Sequence, residues 1–170
     1  MEYKTKNNLV QLVKYTDHYE PFISNFHLPP EKLQFTCYPL EKINNPTTSQ
    51  ETIHVLILNK DIPVGFFALE SGEKVLKYTK NLNARLLTAF SINNDFQGKG
   101  FAKRGLLLLP RFVNNHFQNV NEVVLGVNKR NTAAINLYKK TGFVDHNEIF
   151  LGPSGEQHIM HLNISREGLD

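Results

Sequence analysis

Two segments of the chain hold residue types at spacings that could do chemistry. The first is Ser91-Ile92-Asn93-Asn94-Asp95-Phe96-Gln97-Gly98-Lys99-Gly100-Phe101-Ala102-Lys103, where two glycines fall between a strand-like run and a helix-like run. Glycine lets successive backbone N–H groups turn toward one concave point, and the positive end of a following helix dipole adds to the pull on an anion. A pyrophosphate fits such a nest. The same glycines would also serve a tight strand-to-helix turn that holds no ligand. Two other anion motifs fail on spacing. The dinucleotide fingerprint needs a third glycine where Lys103 stands, and the P-loop needs Ser or Thr after its Gly-Lys, where Gly100 stands.

The second segment is Val127-Asn128-Lys129-Arg130-Asn131-Thr132-Ala133-Ala134-Ile135-Asn136-Leu137-Tyr138-Lys139-Lys140-Thr141-Gly142-Phe143. Asn131 is a good helix N-cap, Ala134 and Tyr138 stand four apart on one helix face, and Gly142 falls at a C-cap position. Read alone, Tyr138 looks more like a core tyrosine than a catalytic one.

Gln97-Gly98-Lys99-Gly100-Phe101-Ala102 resembles the Q/R-x-x-G-x-G/A signature of the GNAT (GCN5-related) N-acetyltransferases. Asn131, Ala134, Tyr138, Gly142 and Phe143 fit that family's second signature, N-x-x-A-x-x-x-Y-x-x-x-G-F, in the right order along the chain. The resemblance is specific over about Phe90 to Phe143 and elsewhere rests on the order of elements. It implies an α/β (α+β) GNAT fold, a mixed and mostly antiparallel sheet flanked by helices, whose central strand pair splays apart to open a slot. It implies acetyl-CoA as the acetyl donor. The amides of Gln97, Gly98, Lys99, Gly100, Phe101, Ala102 and Lys103 would hold its pyrophosphate, and Phe90, Ser91 and Ile92 would pair with its pantetheine arm. Asn131 and Ala134 would contact the cofactor, and the Tyr138 hydroxyl would face the thioester sulfur as the catalytic group.

The implied reaction is direct attack of a neutral amine on the thioester in a ternary complex. The oxyanion needs a donor, which a backbone N–H near Phe90 to Ile92 could supply. The acceptor is expected to be a small-molecule or peptide amine, with an antibiotic, a polyamine and a protein amino group all open. A catalytically weak acyl-CoA-binding module or sensor of the same fold is the alternative, and transfer of longer acyl groups is a third reading. For the general base, Glu70 and His54 end and begin neighbouring strands, His158 and His161 lie on the last strand, and a water relay is also possible. Each of these four residues reads more readily as a plain surface residue. The one cysteine, Cys37, excludes a disulfide framework within the chain and a paired-thiolate site, and no metal is expected.

These groups need elements to position them. Leu9 to Val13 alternates as a half-buried strand, and Asp17 is expected to cap a short helix through about Phe26. Pro29-Pro30-Glu31 can open another helix, and residues 44–49 read as an exposed loop. His54 to Asn59 and Pro63 to Glu70 read as an antiparallel hairpin across Lys60-Asp61-Ile62, and Ala84 to Ile92 as the central strand, apolar on both faces. A helix is predicted from Phe101 to about Phe117, kinked or broken near Leu106 to Pro110 because proline lacks an N–H and collides with the preceding turn. A strand over Glu122 to Val127, a helix over Thr132 to Lys140, and two strands around Gly152-Pro153-Ser154-Gly155 complete the chain.

Composition is consistent with one such domain over residues 1–170, of 41% apolar and 21% charged residues. No apolar run nears the about 20 residues of a membrane span, and the polar Met1 to Asn8 carries no signal-like apolar core, so a cytoplasmic protein without a membrane partner is expected. A formal charge of +3 with dispersed cations disfavours a nucleic-acid platform. A monomer or homodimer is expected.

Overall fold

The computed structural model describes residues 9–166, so the expectation for Met1 to Asn8 lies outside the described residues. β1 (Val10–Lys14) leads into a 3-10 turn and then α1 (Glu20–Ile23), α2 (Pro30–Leu33) and α3 (Pro39–Ile43). β2 (Ile53–Asn59), β3 (Ile62–Glu70) and β4 (Ala84–Ile92) follow, then α4 (Phe101–Leu107) and α5 (Leu109–His116). β5 (Glu122–Asn128), α6 (Thr132–Lys140), β6 (Val144–Gly152) and β7 (Gly155–Asn163) finish the fold.

The strands form one seven-stranded sheet in the order β1-β2-β3-β4-β5-β7-β6. Every neighbouring pair is antiparallel except β4 with β5. That parallel pairing lasts only from Ala84↔Glu122 to Leu86↔Val124, after which the strands part. The expected splay is therefore present, and it leaves the facing edges of β4 and β5 beyond Leu86 and Val124 without a strand partner.

Local chemistry accounts for the main turns. Lys60 and Asp61 both take positive φ (49° and 67°) between the paired Asn59 and Ile62, the two-residue hairpin geometry whose twist matches that of the strands. Pro63 cannot donate to a ladder, and it falls where the β2–β3 register shifts at Ile57/Leu58. The predicted helix break is found: α4 stops at Leu107, and Pro110 sits in the first turn of α5, where an N–H would have no partner in any case.

One expectation is corrected. Asp17 does not cap a helix reaching Phe26; Thr16 precedes the 3-10 turn, no side chain caps it, and α1 ends at Ile23. Ser24 Oγ and Asn25 Nδ2 both donate to the Pro21 carbonyl (3.0 Å each), and side-chain bonds of this kind compete with continued helix.

The sheet is apolar on both faces. Val55 and Ile57 of β2 point into a large core shared with Leu106, Leu109 and Phe112, while Leu56 and Leu58 point into a second one with Ile23 and Phe26. β4 divides in the same way, Leu87 toward the first core and Leu86 toward a third cluster with Val124 and Ile159. Packing from both sides holds the splayed strands in place.

Candidate active site

A cleft of about 510 Å³ opens where β4 and β5 part, and the two segments read from the sequence lie on its walls. Gly98 and Gly100 take φ of 75° and 80°, in the left-handed region where L side chains are strained. A Cβ on Gly98 would meet nothing within 4 Å, so the demand there is conformational and not one of space. The consequence is a row of free donors. Among the described residues, the backbone amides from Gly98 to Lys103 donate to no carbonyl, and the first bond of the helix runs from the Arg104 amide to the Gly100 carbonyl (3.1 Å).

Side chains fasten this turn. Gln97 Nε2 donates to the Ile92 carbonyl at the end of β4 (3.3 Å), and the Arg104 guanidinium donates back to the Lys99 and Gly100 carbonyls (2.9 and 3.3 Å) while lying 4.7 Å over the Phe101 ring. Asn93 accepts from the amides of Asp95 and His27, both at 3.2 Å, which fixes the strand end. Gln97, Gly98, Gly100, Phe101, Ala102 and Lys103 line the cleft. Lys99 does not; its ammonium lies 5.7 Å over the Phe96 ring.

On β4, Phe90, Ser91 and Ile92 also line the cleft. Just before them Ala89 takes φ of 56°, and the β3–β4 register jumps from Phe66↔Ser91 to Ala68↔Thr88. This is a β-bulge with one residue in a left-handed conformation, a strain of about 1–3 kcal/mol that re-aims the strand end beside the slot. Nothing in an Ala-Phe-Ser sequence announces it.

The opposite wall is α6. Asn131 Oδ1 accepts from the Ala134 amide (3.3 Å), so Asn131 is the N-cap that was predicted, and Asn131, Ala134 and Tyr138 face the cleft together. The other end of α6 explains the spacing from Tyr138 to Phe143. The Phe143 amide donates to the Tyr138 carbonyl (3.0 Å) and the Gly142 amide to that of Lys139 (3.4 Å), with Gly142 at φ 103°. This is a Schellman stop, and its usual apolar contact is the edge-on packing of Phe143 against Tyr138 (5.5 Å between centroids). Tyr138 is thereby clamped at 7% exposure between Phe143 and Phe90, whose ring lies 6.1 Å away. Burial drives its phenol well above the ordinary range, so it stays protonated at any physiological pH.

The residues read as possible bases are elsewhere. Glu70 is buried behind Thr88, which donates to it at 2.5 Å, and it pairs with Lys42 (3.0 Å) and Lys74 (3.1 Å). Burial alone would raise its carboxyl, but the bonds from Thr88 and Lys42 outweigh it and hold the group below the usual carboxylate range. His54 stacks on Phe66 (5.9 Å), and burial, with help from Lys42, lowers its ring toward the neutral form. His158 faces Asp145 (3.3 Å), and His161 lies between Glu148 and Glu122. None of the four lines the cleft.

Several lining residues had no readable signal. Phe35 and Thr36, just past α2, close one side of the cleft, with Arg130 from the β5–α6 loop 5.7 Å over the Phe35 ring. Gly126 and Gln157 form the floor beyond Tyr138, packed so closely that a Cβ on Gly126 would overlap the Gln157 amide oxygen. Their positions follow from tertiary pairing of β5 with β7, which places Gly126 opposite Ile159 and Val127 opposite His158.

A splayed mixed sheet with an amide-lined glycine turn at the mouth of the splay defines the GNAT-type acyltransferase fold. The chain belongs to the Acetyltransferase (GNAT) family, whose model matches residues 15–143. It is 38% identical over 153 residues to the Uncharacterized N-acetyltransferase YbbJ of Bacillus subtilis (strain 168), covering 89% of this chain and 96% of that protein. The fold is shared with aminoglycoside acetyltransferase AAC(6')-Ib, solved with coenzyme A and kanamycin (TM-score 0.69, 19% identity, 91% of this chain and 94% of that one). It is shared as well with spermidine N-acetyltransferase from Vibrio cholerae, solved with CoA and spermine (TM-score 0.64, 18% identity, 92% and 96% covered). The family and the N-acetyltransferase relative make this chain an acyltransferase.

Proposed function

We propose that the protein transfers an acetyl group from acetyl-CoA to a primary amine. The observation that carries this reading is the run of unpartnered amides from Gly98 to Lys103 at the mouth of the β4–β5 slot, with Tyr138 on the wall across from Phe90. Amides fixed in this way cost no reorganisation when an anion arrives, and the pyrophosphate of coenzyme A matches them in charge and extent. The free edge of β4 from Phe90 to Ile92 suits an extended amide-bearing arm, and Asn131 and Ala134 border the same channel. Bound there, the thioester supplies an activated acetyl group.

The chain's own residues then have three tasks. A backbone N–H at the β4 end stabilises negative charge developing on the carbonyl oxygen. Tyr138 offers a hydrogen bond to the departing sulfur; with a phenol more basic than a thiol even before burial, it donates the bond and keeps the proton. The apolar walls contributed by Phe90 and Leu137 exclude water from the thioester.

The test is direct. Acetyl-CoA at 100 times its dissociation constant should stabilise the fold by about 2.7 kcal/mol, which is roughly 5 to 11 °C in Tm for a chain of this size. Thiol release should then depend on an added amine. The absence of a thermal shift at millimolar acetyl-CoA would rule the reading out, and binding without thiol release over a broad amine panel would reduce it to a binding module.

A further inference from the structure

Structural relatives of this chain are named for aminoglycoside and spermidine acceptors, molecules that carry several ammonium groups. The cleft here is unsuited to them. Among the described residues that line it there is no Asp, no Glu and no His, and the charged lining residues are Lys32 and Lys103. The carboxylate that reaches a lining side chain is Glu70, through the Thr88 hydroxyl, and it is already matched by the two ammonium groups of Lys42 and Lys74. Lys42 and Glu70 are buried, with side chains 10% and 7% exposed, so neither swings into the cleft to meet an acceptor. Lys103 belongs to the turn assigned to the pyrophosphate; elsewhere along the described lining a second or third ammonium would be stripped of water with no carboxylate on the wall to meet it and Lys32 as the charged side chain.

The same lining bears on proton transfer. The acceptor must attack as the neutral amine, its ammonium proton having passed to solvent; the C–N bond forms and the C–S bond breaks, the sulfur leaves as a thiolate held by the Tyr138 hydrogen bond, and the second proton shed by the nitrogen passes through solvent to give the thiol. Among the described residues, no carboxylate or imidazole on the cleft wall is placed to take that proton. Glu70, linked to the wall through Thr88, accepts from three donors and is held in its ionised form, which makes it a weak base. Only an amine that is substantially neutral on its own is served well. At pH 7 an α-amino group near pKa 8 is neutral about one time in ten, and a lysine-like aliphatic amine near 10.4 roughly one time in 2,500.

Resting on the acetyl-transfer reading above, we propose that the acceptor is a lone α-amino group, as on an amino-acid derivative or a peptide amino terminus, and that polyamines and aminoglycosides are excluded. Two arms of one experiment test this. In the first, protein saturated with coenzyme A is titrated calorimetrically with spermidine and with kanamycin. Neither should bind more tightly than about 1 mM at physiological salt. Tighter binding of either overturns the proposal whether or not any turnover is seen.

In the second arm, thiol release is followed with amino-acid amides, short peptides with free amino termini, spermidine and kanamycin. The best α-amine should exceed spermidine by at least about 100-fold in kcat/KM, of the order expected from the neutral fractions alone, and should also exceed kanamycin, whose oxygen-flanked amines are less basic and which is disfavoured through its multiple charges. With two α-amines of different basicity, the midpoint of the kcat/KM profile against pH should move with the amine. A midpoint that stays fixed as the acceptor changes would reveal a protein base and overturn the proposal, as would a polycation as best substrate. Failure of every amine with coenzyme A still bound would count against acetyl transfer, while the calorimetric arm would still decide the charge preference.

Discussion

At the scale of single residues, Tyr138 and Glu70 occupy contrasting environments. Tyr138 owes its position to the Schellman stop of α6 and to ring packing with Phe90 and Phe143, none of which needs the hydroxyl. Tyr138→Phe should therefore keep the fold and the affinity for acetyl-CoA while lowering kcat by roughly tenfold to a thousandfold. An unchanged kcat in a thiol-release assay would remove the hydroxyl from the chemistry. Tyr138 was legible in the sequence because helix-stop chemistry and the site share one short motif. Glu70 was legible as a carboxylate at a strand end, but its partners Lys42 and Lys74 come from elements that only the tertiary fold brings together. Its depressed carboxyl makes a signed prediction. Stabilisation from Glu70 is fully present above the unfolded carboxylate pKa of about 4.3 and is lost as pH falls through the lower folded value. His54, also lowered, adds a loss of the same sign that begins higher, below about 6.5. Chemical denaturation of wild type and Glu70→Gln across pH should show the largest stability difference near neutrality and convergence in acid. A difference that stays constant to pH 3 would mean that the carboxylate charge is not what matters.

At the scale of elements, the glycine turn works through conformation. Space is open around Gly98, so a methyl group there clashes with nothing, and Gly98→Ala changes only the cost of positive φ. That cost is about 1–2 kcal/mol, and the chain can relieve it by rotating amides out of the nest. Gly98→Ala should weaken acetyl-CoA binding at least about tenfold with a loss in stability of about 1 kcal/mol, measured by calorimetry and thermal melting. Unaltered affinity would separate this turn from the cofactor. The sequence allowed the turn, both signatures and the Pro110 break to be placed, since glycine, proline and helix caps act through local backbone rules. It did not allow the Ala89 bulge, where a residue whose Cβ disfavours positive φ adopts it at the register shift between β3 and β4. It also misjudged Asp17, because Ser24 and Asn25 side chains end α1 by taking the Pro21 carbonyl.

At the scale of the whole molecule, the sheet is two units meeting over a short seam. The seam runs from Ala84 to Leu86 on β4 and from Glu122 to Val124 on β5, flanked by the bond from the Asn121 amide to the Asn83 carbonyl (3.0 Å), with side-chain packing around Leu125, Leu87 and Phe101 on one face and Leu86, Val124 and Ile159 on the other. Alternating apolar residues made most strands legible, but not that β7 would insert between β5 and β6, nor that residues past α2 would close the cleft. Those depend on pairing across long sequence separations. The seam predicts where cofactor binding is felt. Without a ligand, edge amides of residues 87–92 and 125–128 that face the slot have no strand partner and should exchange with solvent much faster than those of the seam. An arm bound along the β4 edge would act as a missing strand and tie the two units together. Saturating acetyl-CoA should then slow exchange over residues 87–92 and 98–103 by at least about tenfold, while the β6–β7 hairpin, which pairs with itself away from the β4 edge, changes little. Hydrogen exchange resolved by mass spectrometry reads both regions at once. Protection spread evenly over the chain would indicate global stabilisation without a ligand in the slot, and protection confined to the hairpin would place the ligand elsewhere.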